Sequence, residues 1–332
     1  MTRREFIPVA AASVLAGALA DEPPTKLGIA WTSYMTAAKP KDTLEFLQHC
    51  HALGAAGIQA PLQGDPRQLR ARAEQLNMYI EGMATLPKNG DTSAFEKSIQ
   101  DAKLAGAACV RSGALSGRRY ETFASLDAWR KFVADSHASL EAALPILEKH
   151  GMHLALENHK DWTADEMAAL MKKYSSEYLG VCLDFGNNIS LLDDPAAVVE
   201  MLAPFTIATH VKDMGVERYD DGFLLSELVL GQGFLDLAGM LSTIRQARPS
   251  TRFSLEMITR DPLQVPCLTD RYWIPFPDRN GVFLARTMRL VDQHQPAKPL
   301  PRVSALSHEA QLAAEEGNVR ASIHFARTNL GL

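Results

Sequence analysis

From Pro24 onward the chain repeats one pattern: a short apolar run, a polar turn, then a longer segment whose apolar positions recur at helical spacing. The apolar runs predict eight strands, at Leu27–Trp31, Gly57–Pro61, Met78–Thr85, Cys109–Gly113, His153–Glu157, Gly180–Asp184, Thr206–Val211 and Arg252–Glu256. Two intervening segments open with Asp65-Pro66 and Asp194-Pro195, a capping carboxylate followed by proline at the first helical position. The longest, SLDAWRKFVADSHASLEAALPILEKHG, ends on Gly151, a natural left-handed stop, and Pro145 should kink it.

Eight strand–helix units predict an α/β fold, a single-domain (β/α)8 TIM barrel over residues 25–296. A doubly wound sheet would need a glycine-rich nucleotide loop after the first strand, and WTSYMTAAKP stands there instead. Two loops exceed what a barrel needs. The one after the seventh strand carries Asp221-Gly222 between extended runs, which predicts a hairpin. The one after the eighth is proline-rich and carries Tyr272, Trp273 and Phe276, either to cap a sugar ring, with Trp273 as the candidate contact, or to pack. Residues 297–332 read as a linker and an amphipathic helix on the barrel exterior.

Composition narrows the partners. The 332 residues carry a net charge of -5, so there is no basic field to hold nucleic acid, and a small polar substrate fits better. Residues 1–20 carry Arg3-Arg4, a mildly apolar run from Ile7 to Leu19, and a small-residue cleavage site at Ala18-Leu19-Ala20. The segment resembles a twin-arginine signal, implying export to the periplasm or beyond, and the run is too short to span a membrane. Cys50, Cys109, Cys182 and Cys267 make no CxxC pair; Cys109 and Cys182 fall in strands as buried thiols, and a single disulfide stays open. So does a homo-oligomer.

The chemistry collects at strand ends. In a (β/α)8 barrel the C-terminal ends of the strands share one pocket. LALENHK ends its strand on Glu157, GVCLDFGNN on Asp184, TIATHVKD on His210 and RFSLEMITRDP on Glu256. Three carboxylates converging without a cation would repel or be forced to protonate. One histidine with three carboxylates is a hard donor set suited to one divalent metal, Mn²⁺ first, with Mg²⁺, Co²⁺ or Zn²⁺ as alternatives. His159, Lys212 and Arg111 are strand-end candidates for substrate contacts, with Glu81 and Trp31 weaker ones. LGQGFLD offers backbone amides to a phosphate or makes a simple loop-to-helix turn.

LALENH, CLDFGN, THVKD and SLEM, in that order at the ends of strands five to eight, resemble the sugar isomerase/epimerase family with xylose-isomerase-like barrels, which includes ketose 3-epimerases, hydroxypyruvate isomerase and inosose dehydratase. The resemblance implies that Glu157, Asp184, His210 and Glu256 bind the metal and that Glu157 and Glu256 also act as acid and base. Many epimerase-type members have a substrate-contacting histidine where this chain has Asn187, an amide that cannot titrate near neutral pH. The expected reaction is proton abstraction beside a carbonyl, through an enediolate stabilised by the metal, giving isomerisation or epimerisation of a small carbohydrate. The alternative is a lyase that eliminates a β-leaving group from a keto-sugar or keto-glycoside. A phosphodiesterase resembling endonuclease IV would need more histidine ligands and a basic face, and His49 and His51 lie on the first helix instead.

Overall fold

The computed structural model describes residues 24–332, so the twin-arginine-type segment lies outside the described residues. Eight parallel strands close into a barrel: β1 (Leu27–Ala30), β2 (Gly57–Pro61), β3 (Tyr79–Met83), β4 (Val110–Ser112), β5 (Leu154–Glu157), β6 (Leu179–Asp184), β7 (Thr206–Val211) and, after a hairpin, β10 (Phe253–Leu255). β1 pairs with both β2 and β10, which closes the ring. The expected strands stand within two residues of these bounds, because a barrel strand buried on both faces shows as a continuous apolar run.

Strand alternation sorts the side chains. Leu154, Leu156, Val181 and Leu183 join the main apolar cluster, which also contains Met167, Leu170, Val198 and Leu202 from the surrounding helices. Ala155, Cys182 and Ala208 point the other way and form a separate small cluster with Cys109. Two residues further along the same strand faces come Glu157, Asp184 and His210. A register shift in the β6–β7 pair at Val181/Cys182 brings Cys182 opposite Ala208 and Asp184 opposite His210. His210 in turn lies opposite Ser254 of β10, two residues before Glu256.

The helix caps form as expected: the Asp65 and Asp194 side chains accept from the Arg67 and Ala197 amides, and Leu126–His150 ends at Gly151 with φ 61°. That helix is one element through Pro145.

The loop after β7 is a hairpin of β8 (Asp213–Tyr219) and β9 (Gly222–Leu228), turning through Asp220-Asp221, one residue earlier than the Asp-Gly pair suggested. β11 (Leu263–Val265), from the loop after β10, adds to it antiparallel, so the two long loops form one three-stranded sheet. The C-terminal helix spans His308–Asn329. All four cysteines are free and buried, and among the described residues no helix is long and apolar enough to cross a membrane.

Candidate metal centre

The ends of β5, β6, β7 and β10 bring Glu157, Asp184, His210 and Glu256 together, one potential ligand atom from each lying within 4.8 Å of all the others. His210 Nδ1 is buried without a hydrogen-bond partner. It stands 3.4 Å from Glu157 Oε1 and 3.5 Å from both Asp184 Oδ2 and Glu256 Oε1. The unpartnered imidazole nitrogen, the carboxylate oxygens gathered around it and the hard donor chemistry fit a divalent cation.

Neighbours hold each ligand in place. Gln59 Oε1 lies 2.6 Å from His210 Nε2, and the Gln59 amide donates to Glu81 Oε2 at 3.0 Å. Gln59 therefore accepts from the Nε2–H, which turns Nδ1 toward the three carboxylates. Asp184 Oδ1 accepts from the Gly186 and Asn187 amides, turning Oδ2 to the centre. Asn158 bridges the strand ends: its Oδ1 accepts from the Asp184 amide at 2.7 Å and its Nδ2 donates to the Asp184 carbonyl at 2.9 Å. The buried strand that runs into Glu157-Asn158-His159 thus ends on a ligand, an inter-strand clamp and a cavity-facing imidazole.

Cations balance the carboxylates. Lys212 lies 2.8 Å from Asp184 Oδ2 and donates to Glu256, while Arg111 donates to Glu157. Burial pushes the Asp184 and Glu256 carboxyls up, but Lys212 and His210 outweigh it and hold both below the ordinary carboxylate range. A further pair, half-buried Arg260 with buried Glu227 at 2.5 Å, lies on the Lys212 side, with Lys212 3.9 Å from Glu227. Buried Lys160 donates to the Asn187 side-chain oxygen, and the Asn187 side-chain N–H donates to Glu157 Oε1 at 3.1 Å. Burial, followed by the nearby Arg260 and Lys212 charges, brings Lys160 down to about 7. A titratable group therefore stands behind the amide at position 187.

A cavity of about 1000 Å³ leads to this centre between the loops that follow β3 and β4. Arg111, Glu157 and His159 line its inner end, and Met83, Leu86, Leu115 and Phe132 form apolar walls. Arg111 Nε and His159 Nδ1 are buried there without hydrogen-bond partners. Burial, then Lys160 and Arg111, push His159 well below its usual range, so the ring is neutral. Trp273 is half-buried and does not line this cavity, and its indole N–H donates to the Cys267 carbonyl. Tyr272 stacks on Phe276, so the aromatics of this loop pack against the protein itself. The LGQGFLD amides are engaged as well, since Gly231, Gly233 and Leu235 all donate to the Asp213 carboxylate; the loop-to-helix turn is what forms.

Gln59, Lys160 and the Arg260–Glu227 pair carry no recognisable motif. Only Lys160 could have been suspected, as a lysine two residues beyond Asn158 in a stretch too buried for a solvated charge.

The structure defines a (β/α)8 barrel whose strand ends bring together four residues that could hold a cation, one of them also lining a cavity. The chain belongs to the xylose isomerase-like TIM barrel family, whose model matches residues 47–273. It is 34% identical over 110 residues to the 3-oxo-isoapionate decarboxylase of Pectobacterium atrosepticum, an alignment covering 32% of this chain and 40% of that protein. The chain spans less than half the length of the curated relatives it matches. Among solved structures it resembles D-psicose 3-epimerase in the presence of D-fructose, with TM-score 0.59 and 14% identity over 93% of this chain and 100% of the other. It also resembles the IOLI protein with a bound zinc atom, with TM-score 0.57 and 17% identity over 81% and 99%.

Proposed function

We propose that the protein is a divalent-metal-dependent isomerase or epimerase that moves a proton on the carbon beside the carbonyl of a small sugar. The observation that carries this reading is the convergence of Glu157, Asp184, His210 and Glu256 at the strand ends, with Glu157 also lining the adjacent cavity beside Arg111 and His159. Those four residues would hold the metal, with Mn²⁺ favoured by the hard donor set, and the ion would supply Lewis-acid stabilisation of negative charge developing on substrate oxygen. Glu157 faces the cavity and takes the carbon-bound proton; Arg111 and His159 orient the substrate through their unpartnered nitrogens. Return of the proton by Glu157 to the neighbouring carbon gives isomerisation; delivery of a different proton from a protonated Glu256 to the opposite face, with Glu157 keeping the first, gives epimerisation. Export by a twin-arginine route belongs to the same reading and is supported by the sequence of residues 1–20 alone.

A second reading keeps the site and makes the enzyme a lyase. The curated relative named as a decarboxylase supports it, because loss of carbon dioxide beside a carbonyl leaves the same kind of enolate from which a β-leaving group is expelled in an elimination. One experiment addresses both. The Mn²⁺-loaded protein is incubated in D₂O with a panel of ketoses and keto-sugar acids and followed by NMR. Deuterium at the carbon beside the carbonyl without fragmentation supports isomerase or epimerase chemistry, and carbon dioxide or an enone supports the lyase. Glu157→Gln should lower the productive rate by about 10²–10⁴-fold. Absence of both exchange and cleavage across the panel, with metal bound, would sink the proposal.

A further inference from the structure

The C-terminal helix contacts the loops that follow β1, β7 and β10, and Glu316 on it also lies 3.2 Å from His49 of the helix Thr43–Ala52. Glu315, almost fully buried, accepts backbone N–H groups from three successive residues of the first loop: Thr36 at 3.0 Å, Ala37 at 3.2 Å and Ala38 at 2.7 Å. Glu316 accepts from the Tyr34 hydroxyl at 2.7 Å in that loop and pairs with Arg320 at 2.5 Å on its own helix. Further along, Asn318 donates to Thr259 at 2.9 Å in the loop after β10, and Ser322 accepts from the Leu230 amide at 3.3 Å in the loop after β9.

The first of these loops reaches the metal site. Glu256 lies one residue beyond the end of β10, so strand pairing alone does not fix its side chain. Thr32 Oγ1 donates to Glu256 Oε1 at 2.7 Å. Next to it, Ser33 Oγ donates to the Leu255 carbonyl at 3.2 Å and accepts from the Met257 amide at 3.1 Å, bracketing Glu256 in the backbone on both sides. Thr32, Ser33 and Tyr34 form one short 3-10 turn with Trp31, and the turn continues directly into the three amides held by Glu315. A buried carboxylate on successive backbone N–H groups makes charge-assisted bonds, stronger than neutral ones, so the segment has a firm anchor.

We propose that Glu315 and Thr32 are positioning residues for the metal site: the C-terminal helix, through Glu315, fixes the segment 31–38, and Thr32 at its inner end holds Glu256 in the orientation that ligates the cation. The inference rests on the metal reading above and adds that the last helix belongs to the site's machinery. Groups that orient a metal ligand typically contribute 10–100-fold to affinity.

The test is Mn²⁺ affinity of the chelator-stripped full chain, measured by electron paramagnetic resonance titration, beside its thermal unfolding without metal. Thr32→Val and Glu315→Gln should each weaken Mn²⁺ binding about 10–100-fold. Thr32→Ser, which keeps the hydroxyl, should restore wild-type affinity, and the double variant should bind no more weakly than the weaker single, because both act through Glu256. Wild-type affinity in Thr32→Val and Glu315→Gln, whatever their melting temperatures, overturns the proposal and leaves the metal reading intact. If Glu315→Gln does not fold, Thr32→Val beside Thr32→Ser decides: weakened Mn²⁺ binding in Thr32→Val alone supports the proposal, and wild-type affinity in both overturns it. A wild-type protein that binds no Mn²⁺, indistinguishable from Glu157→Gln, overturns the metal reading for this ion and this inference with it.

Discussion

The two faces of the barrel wall come from the same strands and have opposite compositions. Toward the helices stand Leu154, Leu156, Val181 and Leu183, in one continuous apolar cluster. Toward the lumen stand Ala155, Cys182 and Ala208, followed by Glu157, Asp184 and His210, with Gln59, Glu81 and Ser254 joined in hydrogen bonds beside them. Barrel lumens of this class are usually filled by layers of branched aliphatic side chains. Here the inner layer is small and polar, so close packing between wall and helices supplies most of the apolar burial, and the lumen is given over to holding charge. Stability and metal affinity should therefore respond to different substitutions, even at adjacent residues.

The sharpest test of that separation is Leu183→Ala against its neighbours. It should lower the free energy of unfolding by about 2–5 kcal/mol and leave Mn²⁺ affinity unchanged, as read by denaturant melts and metal titration. A matching loss of affinity would show that the two faces are coupled. On the lumen side, Gln59→Leu removes the acceptor that fixes the His210 tautomer and should weaken Mn²⁺ binding about 10–100-fold, equivalent to about 1.4–2.7 kcal/mol. Unchanged affinity would mean that His210 needs no orienting partner.

A pH effect concerns Glu81, which burial raises from 4.5 to about 7 against the opposing hydrogen bond from Gln59. The folded state then binds the proton more tightly than the unfolded one, so the stabilisation is complete below pH 4.5 and is lost as pH rises to about 7. Denaturation of the metal-free protein should show a slope of up to about 1.4 kcal/mol per pH unit across that window, and Glu81→Gln should remove it. The same slope in Glu81→Gln would assign the proton elsewhere.

Much of the barrel was legible along the chain because strand burial, helix capping and the Gly151 stop are local, and each leaves a mark within a few residues. The hairpin was legible for the same reason; its sheet was not, because β11 joins through pairing with β9 across the loop after β10. In the site, Glu157, Asp184, His210 and Glu256 stood out because polar residues ending apolar strands are conspicuous. The surroundings of Trp273 were not legible, since an aromatic in a long loop looks the same in sequence whatever its indole N–H donates to, here the Cys267 carbonyl.

By itself the sequence determined the alternating architecture, the strand boundaries to within two residues, and which residue types end each strand, since all of these follow from short-range periodicity. Only the tertiary structure decided what surrounds those ends. Thr32 reaches Glu256 across 224 residues of sequence, His210 finds Gln59 across 151, and Glu315 returns from the last helix to the loop after the first strand. Such contacts depend on barrel closure and on where the final helix docks, and a hydrogen bond between distant residues imposes no period or spacing on the chain that joins them.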